Sequence, residues 1–420
     1  MPLRAHRRAV AAAAAVLVAV ATLIAAFTPS LPVPETLPAV TTEAPEFAST
    51  LEAHLGAPVA DGNRVDVLLN GDAIFPAKLA AIRGARERID YAEYFWADGP
   101  VGAQIAEALA ERCRAGVRAH VLLDGVGTFG MPSEHLATMT RAGCRVERFR
   151  PLARWSLRQN NYRNHRRILV VDSRLGISGG SGVSWKWMGD GRQDEHWRDT
   201  DVRIEGPAVA GLAAAFAENW REATRELLPF APSPRARGEH RVQVVRSAPA
   251  EGSYAAYLMF LLAIAGARRT IYVTNPYFVP DARMSDALLA AVRRGVRVVA
   301  LAPGKIDHNV VRAASRRDLG PLLRGGVEIF EYQAALLHAK TMVVDATWAT
   351  VGSTNLDPRS FALNDELDVA VYDREVARRL HEVFEQDLRH ARRLDYETWA
   401  RRGWRAKALE TLVLPVRDLL

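Results

Sequence analysis

The sequence His338-Ala-Lys340-Thr-Met-Val-Val-Asp345, followed by Gly352-Ser353-Thr-Asn355, decides the fold. On a strand, His338 and Lys340 lie two positions apart and therefore point to one face. An imidazole beside a fixed ammonium suits a phosphodiester, because the cation neutralises the charge that repels a nucleophile while the imidazole makes the bond. The glycine and the small polar residues after it predict a tight turn that can approach phosphate oxygens.

The same order of residues occurs earlier in the chain, as His165, Arg167 and Asp172 followed by Gly179-Gly180-Ser181. Further segments repeat in the same order: Ala81–Ile89 matches Ala263–Ile271, and Arg114–Arg118 matches Arg293–Arg297. Three matched segments in one order indicate an ancestral unit used twice. A lone His-x-Lys pair is usually a solvated surface pair, and the duplication makes a functional pair the better interpretation.

The repeat sets the predicted organisation of the 420 residues. Apolar runs alternate with amphipathic stretches, which indicates an α/β fold. We expect two pseudo-symmetric α/β halves that present their motif strands to one central cleft. The predicted boundaries are 1–35 for a membrane anchor or signal, 36–63 for a linker, 64–228 for the first half, 229–240 for a second linker, 241–390 for the second half and 391–420 for a basic amphipathic tail.

The N-terminus predicts a membrane location. Arg4, Arg7 and Arg8 precede an uncharged run over residues 9–27, which is just long enough for one spanning helix. A cleaved signal peptide is the main alternative. The basic residues before the run place the N-terminus inside, and so the catalytic body outside the cytoplasm. The cytoplasmic face is the alternative.

The net charge limits the classes of binding partner, and the cysteine content limits the disulfide and zinc sites. A net charge of +7 favours phospholipid, nucleic acid or a phosphorylated small molecule. Two cysteines, Cys113 and Cys144, exclude a disulfide scaffold and any zinc site built on CxxC. Only five lysines occur among the basic residues, so each lysine is a candidate for a specific role.

The duplicated pattern H-x-K-x4-D-x6-G-S-x-N resembles the phospholipase D superfamily, and within it the bacterial cardiolipin synthases. Supporting runs are 164–172, Trp197-Arg-Asp199, Glu205-Gly-Pro207, 353–360 and Asn364-x-Glu366, and the resemblance covers roughly residues 64–390. It implies phospholipase D-like halves, each a mixed sheet flanked by helices. It also implies phosphatidyl transfer through a phosphohistidine, with neither metal nor cofactor.

The resemblance assigns roles to the motif residues. By analogy His165 is the nucleophile and His338 the acid/base, although pseudo-symmetry leaves their order open. Arg167 and Lys340 neutralise the phosphate. Alignment of the strands after the two motifs makes Asp199 and Glu366 equivalent candidates for orienting the histidines that precede them, 34 and 28 residues earlier. Residues expected to bind phosphate or to support the structure are Asp172, Asp345, Ser353, Asn355, Gly179, Gly180 and Ser181.

The first copy departs from the family pattern. Arg167 replaces a lysine, which keeps the charge, and Gly182 replaces an asparagine, which removes a phosphate donor. We expect transfer between two phosphatidylglycerols at a membrane surface, giving cardiolipin and glycerol. The alternatives are hydrolysis of phospholipids, a nuclease, and an inactive lipid-binding protein. The anchor makes nucleic acid an unlikely partner, and the sequence identifies no protein partner.

Overall fold

The computed structural model describes residues 31, 34–152, 160–305, 309–403, 407 and 410, with the backbone alone over 309–315. The predicted anchor at 1–35 therefore lies almost wholly outside the described residues. Within the described part of the chain, no helix combines the length and the apolar character needed to cross a bilayer.

The first half follows a short leading helix, α1, at Glu46–Leu55. Its elements are β1 Val59–Leu69, α2 Asn70–Arg83, β2 Arg88–Glu93, α3 Pro100–Arg114, β3 Arg118–Asp124, α4 Ser133–Arg141, β4 Arg145–Phe149, β5 Ile168–Val171, β6 Leu175–Gly179, β7 Thr200–Glu205 and α5 Val209–Thr224. A single 3₁₀ turn at Trp185–Trp187 interrupts the loop between β6 and β7.

The second half repeats this order after residues 225–239, which form neither helix nor strand. Its elements are β8 His240–Ser247, α6 Ala255–Gly266, β9 Thr270–Thr274, α7 Ala282–Arg293, β10 Arg297–Pro303, α8 Asn309–Arg324, β11 Glu328–Tyr332, β12 Thr341–Val344, β13 Trp348–Gly352, α9 Pro358–Ala362, β14 Glu366–Val371, α10 Arg374–Leu388, β15 Ala391–Leu394 and α11 Tyr396–Ala400.

All fifteen strands form one mixed sheet in the order β15-β11-β10-β9-β12-β13-β14-β8-β1-β7-β6-β5-β2-β3-β4. The order of the seven strands from β4 to β1 is repeated from β11 to β8, and the two sets join through the antiparallel pair β1 and β8. The α/β fold with two pseudo-symmetric halves is therefore confirmed.

Apolar side chains fill three cores. One lies between α2, α3, α4 and the first set of strands, and another between α6, α7 and the second set. The third core joins the halves: Val170 and Val202 of the first half pack with Val343 and Val369 of the second, together with α5 and α10. Strand β5 is apolar throughout, and β12 is apolar after Thr341, because both faces of these strands are covered.

Two of the predicted segments contain regular elements of the body. The linker predicted for 36–63 contains α1, whose Phe47 and Leu51 are buried in the core of the second half. The spacing of these apolar residues fits one helix face, and that signal outweighs the Pro/Thr/Ala-rich composition of the segment. The tail predicted for 391–420 begins as a strand of the body, because β15 pairs with β11.

A disulfide joins Cys113 near the end of α3 to Cys144 just before β4. Both cysteines lie on the outer layer of the first half, and Cys144 is buried. Two cysteines exclude a disulfide scaffold, and they nevertheless form this single link, which the sequence analysis did not predict.

Candidate active site

The two motif histidines lie where the halves meet. His165 and His338 stand just before β5 and β12, and both are buried. The backbone N–H of His165 donates to the carbonyl of Asp365 at 2.9 Å, and that of His338 donates to the carbonyl of Arg198 at 2.7 Å. Each histidine is thus bound through its backbone to the opposite half.

The orienting carboxylates are exchanged between the halves. His165 Nδ1 lies 2.8 and 2.9 Å from the two carboxylate oxygens of Glu366, and His338 Nδ1 lies 2.7 Å from Asp199 Oδ2. Both predicted acids thus contact a motif histidine, and each contacts the histidine of the opposite half and not the one that precedes it in the chain. The reason is that the halves face each other, so the strand after each motif reaches the other half's histidine.

Glu366 is held by side chains of its own half. Ser353 Oγ donates to one carboxylate oxygen at 2.5 Å, and Asn364 Nδ2 donates to the other at 3.3 Å. Ser353 Oγ in turn accepts the N–H of Leu367. Both oxygens of Glu366 therefore face donors, which fixes the carboxylate against His165.

Asp199 is held differently, by a tryptophan. Trp187 Nε1 donates to Asp199 Oδ2 at 2.8 Å, while the backbone N–H of Thr200 donates to Oδ1. Gly180 takes the position of Ser353, and a Cβ there would lie 2.3 Å from Asp199 Oδ1. The first half therefore has no room for a serine at this position, and the indole supplies the missing donor.

The same indole accounts for the missing asparagine. A Cβ at Gly182 would lie 3.1 Å from the Trp187 ring, which occupies the space that a longer side chain would need. The ring also meets His338 edge-on, with 5.1 Å between the ring centroids. Trp187 is not among the predicted site residues, because its distance to His338 along the chain hides the contact.

The two cations occupy equivalent positions beside the two histidines. Lys340 Nζ donates to the carbonyl of His338 at 2.6 Å and lies 3.1 Å from its Nε2. Arg167 Nη1 donates to the carbonyl of His165 at 2.7 Å, and its guanidinium lies over the ring of Tyr94. The arginine thus places its charge where the second half places an ammonium.

Burial dominates the electrostatics of the site. Burial and the charges of Arg167 and Lys340 hold the pKa of His165 well below its usual value, and burial with Lys340 lowers the pKa of His338 to about 4. Burial also lowers the pKa of Lys340 to about 7 and raises that of Glu366 to about 7. Both imidazoles are therefore neutral near pH 7 until an anion enters the site.

Asp199 behaves differently from Glu366. Burial raises the pKa of Asp199, but the charges of His338 and Lys340 outweigh burial and hold that pKa below its ordinary range. One histidine thus faces a carboxylate that is ionised throughout the neutral range. The other faces a carboxyl group that titrates within it.

A buried ammonium group contacts the segment that follows β6, at the end of the first motif. Lys78 on α2 lies 2.8 Å from Ser181 Oγ and 3.1 Å from Asp201, and all three side chains are buried. At the matching position of the repeat stands Phe260. The scarcity of lysine was the signal for Lys78, but its position on a helix before the motif gave no indication of this contact.

The remaining predicted residues are structural by position. Asp172 and Asp345 lie at the far ends of β5 and β12, where each accepts three backbone N–H groups from the segment before β2 or β9. A Cβ at Gly179 would lie 2.3 Å from Asp201, so this glycine lets the carboxylate approach. Asn355 is buried near the site, and its Oδ1 has no hydrogen-bonding partner among the described residues.

Among the described residues, no group of three or more His, Cys, Asp or Glu side chains is arranged to hold a metal ion. The expectation of a metal-free mechanism stays a prediction.

Comparisons with known proteins agree with the family resemblance seen in the sequence. Residues 260–388 match the family model described as "Cardiolipin synthase, PLD-like domain". The chain is 38% identical over 342 residues to cardiolipin synthase A of Pseudomonas putida, covering 81% of this chain and 71% of that protein. It is 37% identical over 351 residues to cardiolipin synthase A of Pseudomonas fluorescens, covering 80% and 73%.

Among solved structures, phosphatidylserine synthase of Haemophilus influenzae superposes with a TM-score of 0.69 at 12% identity, covering 89% of this chain and 100% of that one. Polyphosphate kinase of Porphyromonas gingivalis superposes with a TM-score of 0.53 at 13% identity, covering 93% and 57%. At these identities the likeness concerns the fold alone.

Proposed function

Because the chain belongs to the cardiolipin synthase family of the phospholipase D superfamily, we propose that it joins two phosphatidylglycerols into cardiolipin and releases glycerol. It is a phosphatidyltransferase, and its substrates are phospholipids. The observation that carries the proposal is the exchange of carboxylates between the halves, which pairs His165 with Glu366 and His338 with Asp199. The site therefore holds two imidazoles that contact different carboxylates.

In the first step, the nucleophile is His165 Nε2. Its Nδ1 proton is held by Glu366, so the lone pair of Nε2 is directed away from the carboxylate and into the site. Nε2 attacks phosphorus of one phosphatidylglycerol, and a P–N bond forms. The bond from phosphorus to the glycerol headgroup breaks, and His338 gives its proton to the departing alkoxide, which leaves as glycerol.

In the second step, the roles of His338 reverse. It takes the proton from a glycerol hydroxyl of the second phosphatidylglycerol, whose oxygen attacks phosphorus. The P–N bond breaks, cardiolipin is released, and His165 returns to its neutral form. Arg167 and Lys340 hold the negative charge of the phosphoryl oxygens through both steps.

The surroundings of the two histidines support this order. Burial, together with the charges of Arg167 and Lys340, keeps the pKa of His165 low, which suits an unprotonated nucleophile. His338 faces the ionised carboxylate of Asp199, which raises its pKa against the effects of burial and Lys340. When a phosphodiester anion enters the site, that carboxylate favours the protonated imidazole that a general acid requires.

We place the catalytic body outside the cytoplasm at a membrane surface. The link between Cys113 and Cys144 supports this location, because disulfides persist in oxidising compartments. The arginines before the uncharged run near the N-terminus point the same way.

The test supplies the purified protein with phosphatidylglycerol vesicles and identifies the products by mass. Cardiolipin with an equal amount of glycerol is expected. Phosphatidic acid as the main product contradicts transfer and makes the protein a hydrolase. The order of the histidines is tested with a nitrophenyl phosphodiester, whose leaving group needs no acid: His338→Ala should then accumulate the covalent intermediate, and His165→Ala should release no nitrophenol. The reverse pattern exchanges the two roles.

A further inference from the structure

We propose that four exposed apolar side chains around the site, Val126, Phe129, Leu152 and Trp185, form the surface by which the catalytic body docks on a phospholipid bilayer. We call this set the apolar rim. The proposal rests on the proposed function in one respect: the bilayer is where the substrates of that site are held.

The rim lies at the edge of the sheet that carries the histidines. Val126 and Phe129 follow the end of β3, Leu152 follows β4, and Trp185 follows β6. Strands β3 and β4 run parallel to β2, and β5 runs antiparallel to β2, so their ends meet at the side where His165 precedes β5. The rim therefore lies at the same edge of the sheet as His165.

Exposure separates the rim from ordinary surface. Phe129 is 84% exposed, a large apolar area to leave in water without a partner. Among the described residues, six large apolar side chains are exposed, and four of them form the rim. In the described part of the second half no large apolar side chain is exposed, so docking takes place through the first half.

The turn that carries Phe129 is rigid. Asp124 Oδ1 accepts the backbone N–H of Val126 at 2.8 Å and that of Gly127 at 3.0 Å, and Thr128 Oγ1 donates to the carbonyl of Asp124 at 2.6 Å. A Cβ at Gly127 would lie 2.0 Å from the carbonyl oxygen of Tyr94, so the turn is packed against that residue. Phe129 is thus held outward and cannot fold back onto the body.

The turn is joined to the histidine. The second oxygen of Asp124 accepts the N–H of Asn164 at 3.0 Å, one residue before His165. The ring of Tyr94, on which the turn packs, lies edge-on to His165 with 4.7 Å between the ring centroids. Insertion of Phe129 into a bilayer would therefore set the depth of the nucleophile relative to the lipid phosphates.

The composition of the rim favours a bilayer over a protein partner. Trp185 is followed by Lys186, whose ammonium lies 5.1 Å from the centre of the Trp197 ring. Amphipathic rings beside basic residues suit the headgroup level of anionic membranes. The two exposed apolar residues outside the rim, Leu227 and Phe230, lie near the starts of β4 and β2, at the opposite edge.

The first experiment uses the full chain, in which the disulfide occupies both natural cysteines. Phe129→Cys and, as a matched control, Phe230→Cys each offer a single free thiol for an environment-sensitive fluorophore. With vesicles of phosphatidylcholine and phosphatidylglycerol that carry a nitroxide lipid, we expect a blue shift and quenching at position 129 and neither at position 230. Equal quenching at both positions, or none at 129, overturns the proposal. This readout needs no catalysis, so it decides the docking surface even if the proposed reaction is wrong.

The second experiment separates docking from chemistry. Phe129→Ser should lower the rate on phosphatidylglycerol vesicles roughly tenfold, since the side chain contributes the affinity of one buried aromatic ring. Its rate on short-chain phosphatidylglycerol below the micellar concentration should be unchanged, and Phe230→Ser should match the unaltered chain on both substrates. A loss of the same size on both substrates shows that Phe129 acts on the site itself and contradicts docking.

Discussion

Replacing Glu366 by glutamine removes one charge from the site while keeping the size of the side chain. Both carboxylate oxygens face donors, Ser353 Oγ on one and Asn364 Nδ2 on the other, in addition to His165 Nδ1. An amide therefore turns its NH₂ group toward a donor in either orientation. The change removes the anion that stabilises a positively charged His165 and also weakens the bond that holds its tautomer.

The distance sets the size of the effect. Nδ1 of His165 lies 2.8 Å from Glu366 Oε1, so the centres of the phosphorylated imidazolium and the carboxylate are about 4 Å apart. Two unit charges at that separation interact by about 4 kcal/mol at an effective dielectric constant of about 20. Because that energy is present only when the imidazole is charged, Glu366→Gln should lower kcat by about 1,000-fold.

The assay measures kcat above neutral pH, where Glu366 of the unaltered chain is largely ionised, since burial raises its pKa to about 7. Glu328→Gln is the matched control, because its carboxylate pairs with Arg297 on the surface of β10 and β11. Glu328→Gln should retain full activity, and both variants should keep the circular dichroism of the unaltered chain. A folded Glu366→Gln variant within tenfold of the unaltered kcat would refute the role given to this carboxylate.

Three further predictions follow from the surroundings of the site. Trp187→Phe removes the indole donor to Asp199 and should lower kcat about tenfold, as expected for a hydrogen bond to a charged group. The control, Trp220→Phe, loses an indole N–H that has no partner among the described residues and should keep the kcat of the unaltered chain. Equal kcat values for the two variants contradict the positioning role of Trp187. Burial lowers the pKa of Lys340 to about 7, so the charge of Lys340 is present below that pH and lost above it. We therefore expect kcat/KM to fall about tenfold per pH unit on the basic side. A flat pH profile on that side excludes Lys340 as the phosphate-binding cation. Cys113→Ser opens a link across 31 residues and should lower the free energy of unfolding by about 3 to 4 kcal/mol, measured by urea denaturation; an unchanged unfolding midpoint contradicts the link.

The repeat made most of the fold predictable. Apolar runs at matched spacings identify the motif strands, and β5 occupies Ile168–Val171, the apolar run that follows His165. The leading helix α1 was missed because its environment comes from a distant part of the chain: Phe47 contacts Trp348, and Thr42 bonds to Asp345. Composition describes a segment in isolation, and it says nothing about a core three hundred residues away.

The site was predictable in its membership and not in its connections. Both histidines, both cations and both carboxylates were identified from the duplicated pattern. Distance along the chain favoured a carboxylate of the same half, whereas the packing of β6 and β7 of the first half against β13 and β14 of the second half exchanges the carboxylates. Trp187 could not be assigned from the sequence, because its contact with Asp199 depends on the close approach of that carboxylate to Gly180.

The exchange of carboxylates has a consequence for inheritance. A polypeptide containing one half alone would carry a histidine whose orienting carboxylate lies in the other half, so the two copies of the duplicated unit are under joint selection. Because each copy supplies the carboxylate for the other copy's histidine, loss of either carboxylate impairs the histidine of the opposite half. The two copies have diverged in how they hold the shared carboxylates: Ser353 donates to Glu366 in the second half, and the indole of Trp187 donates to Asp199 in the first.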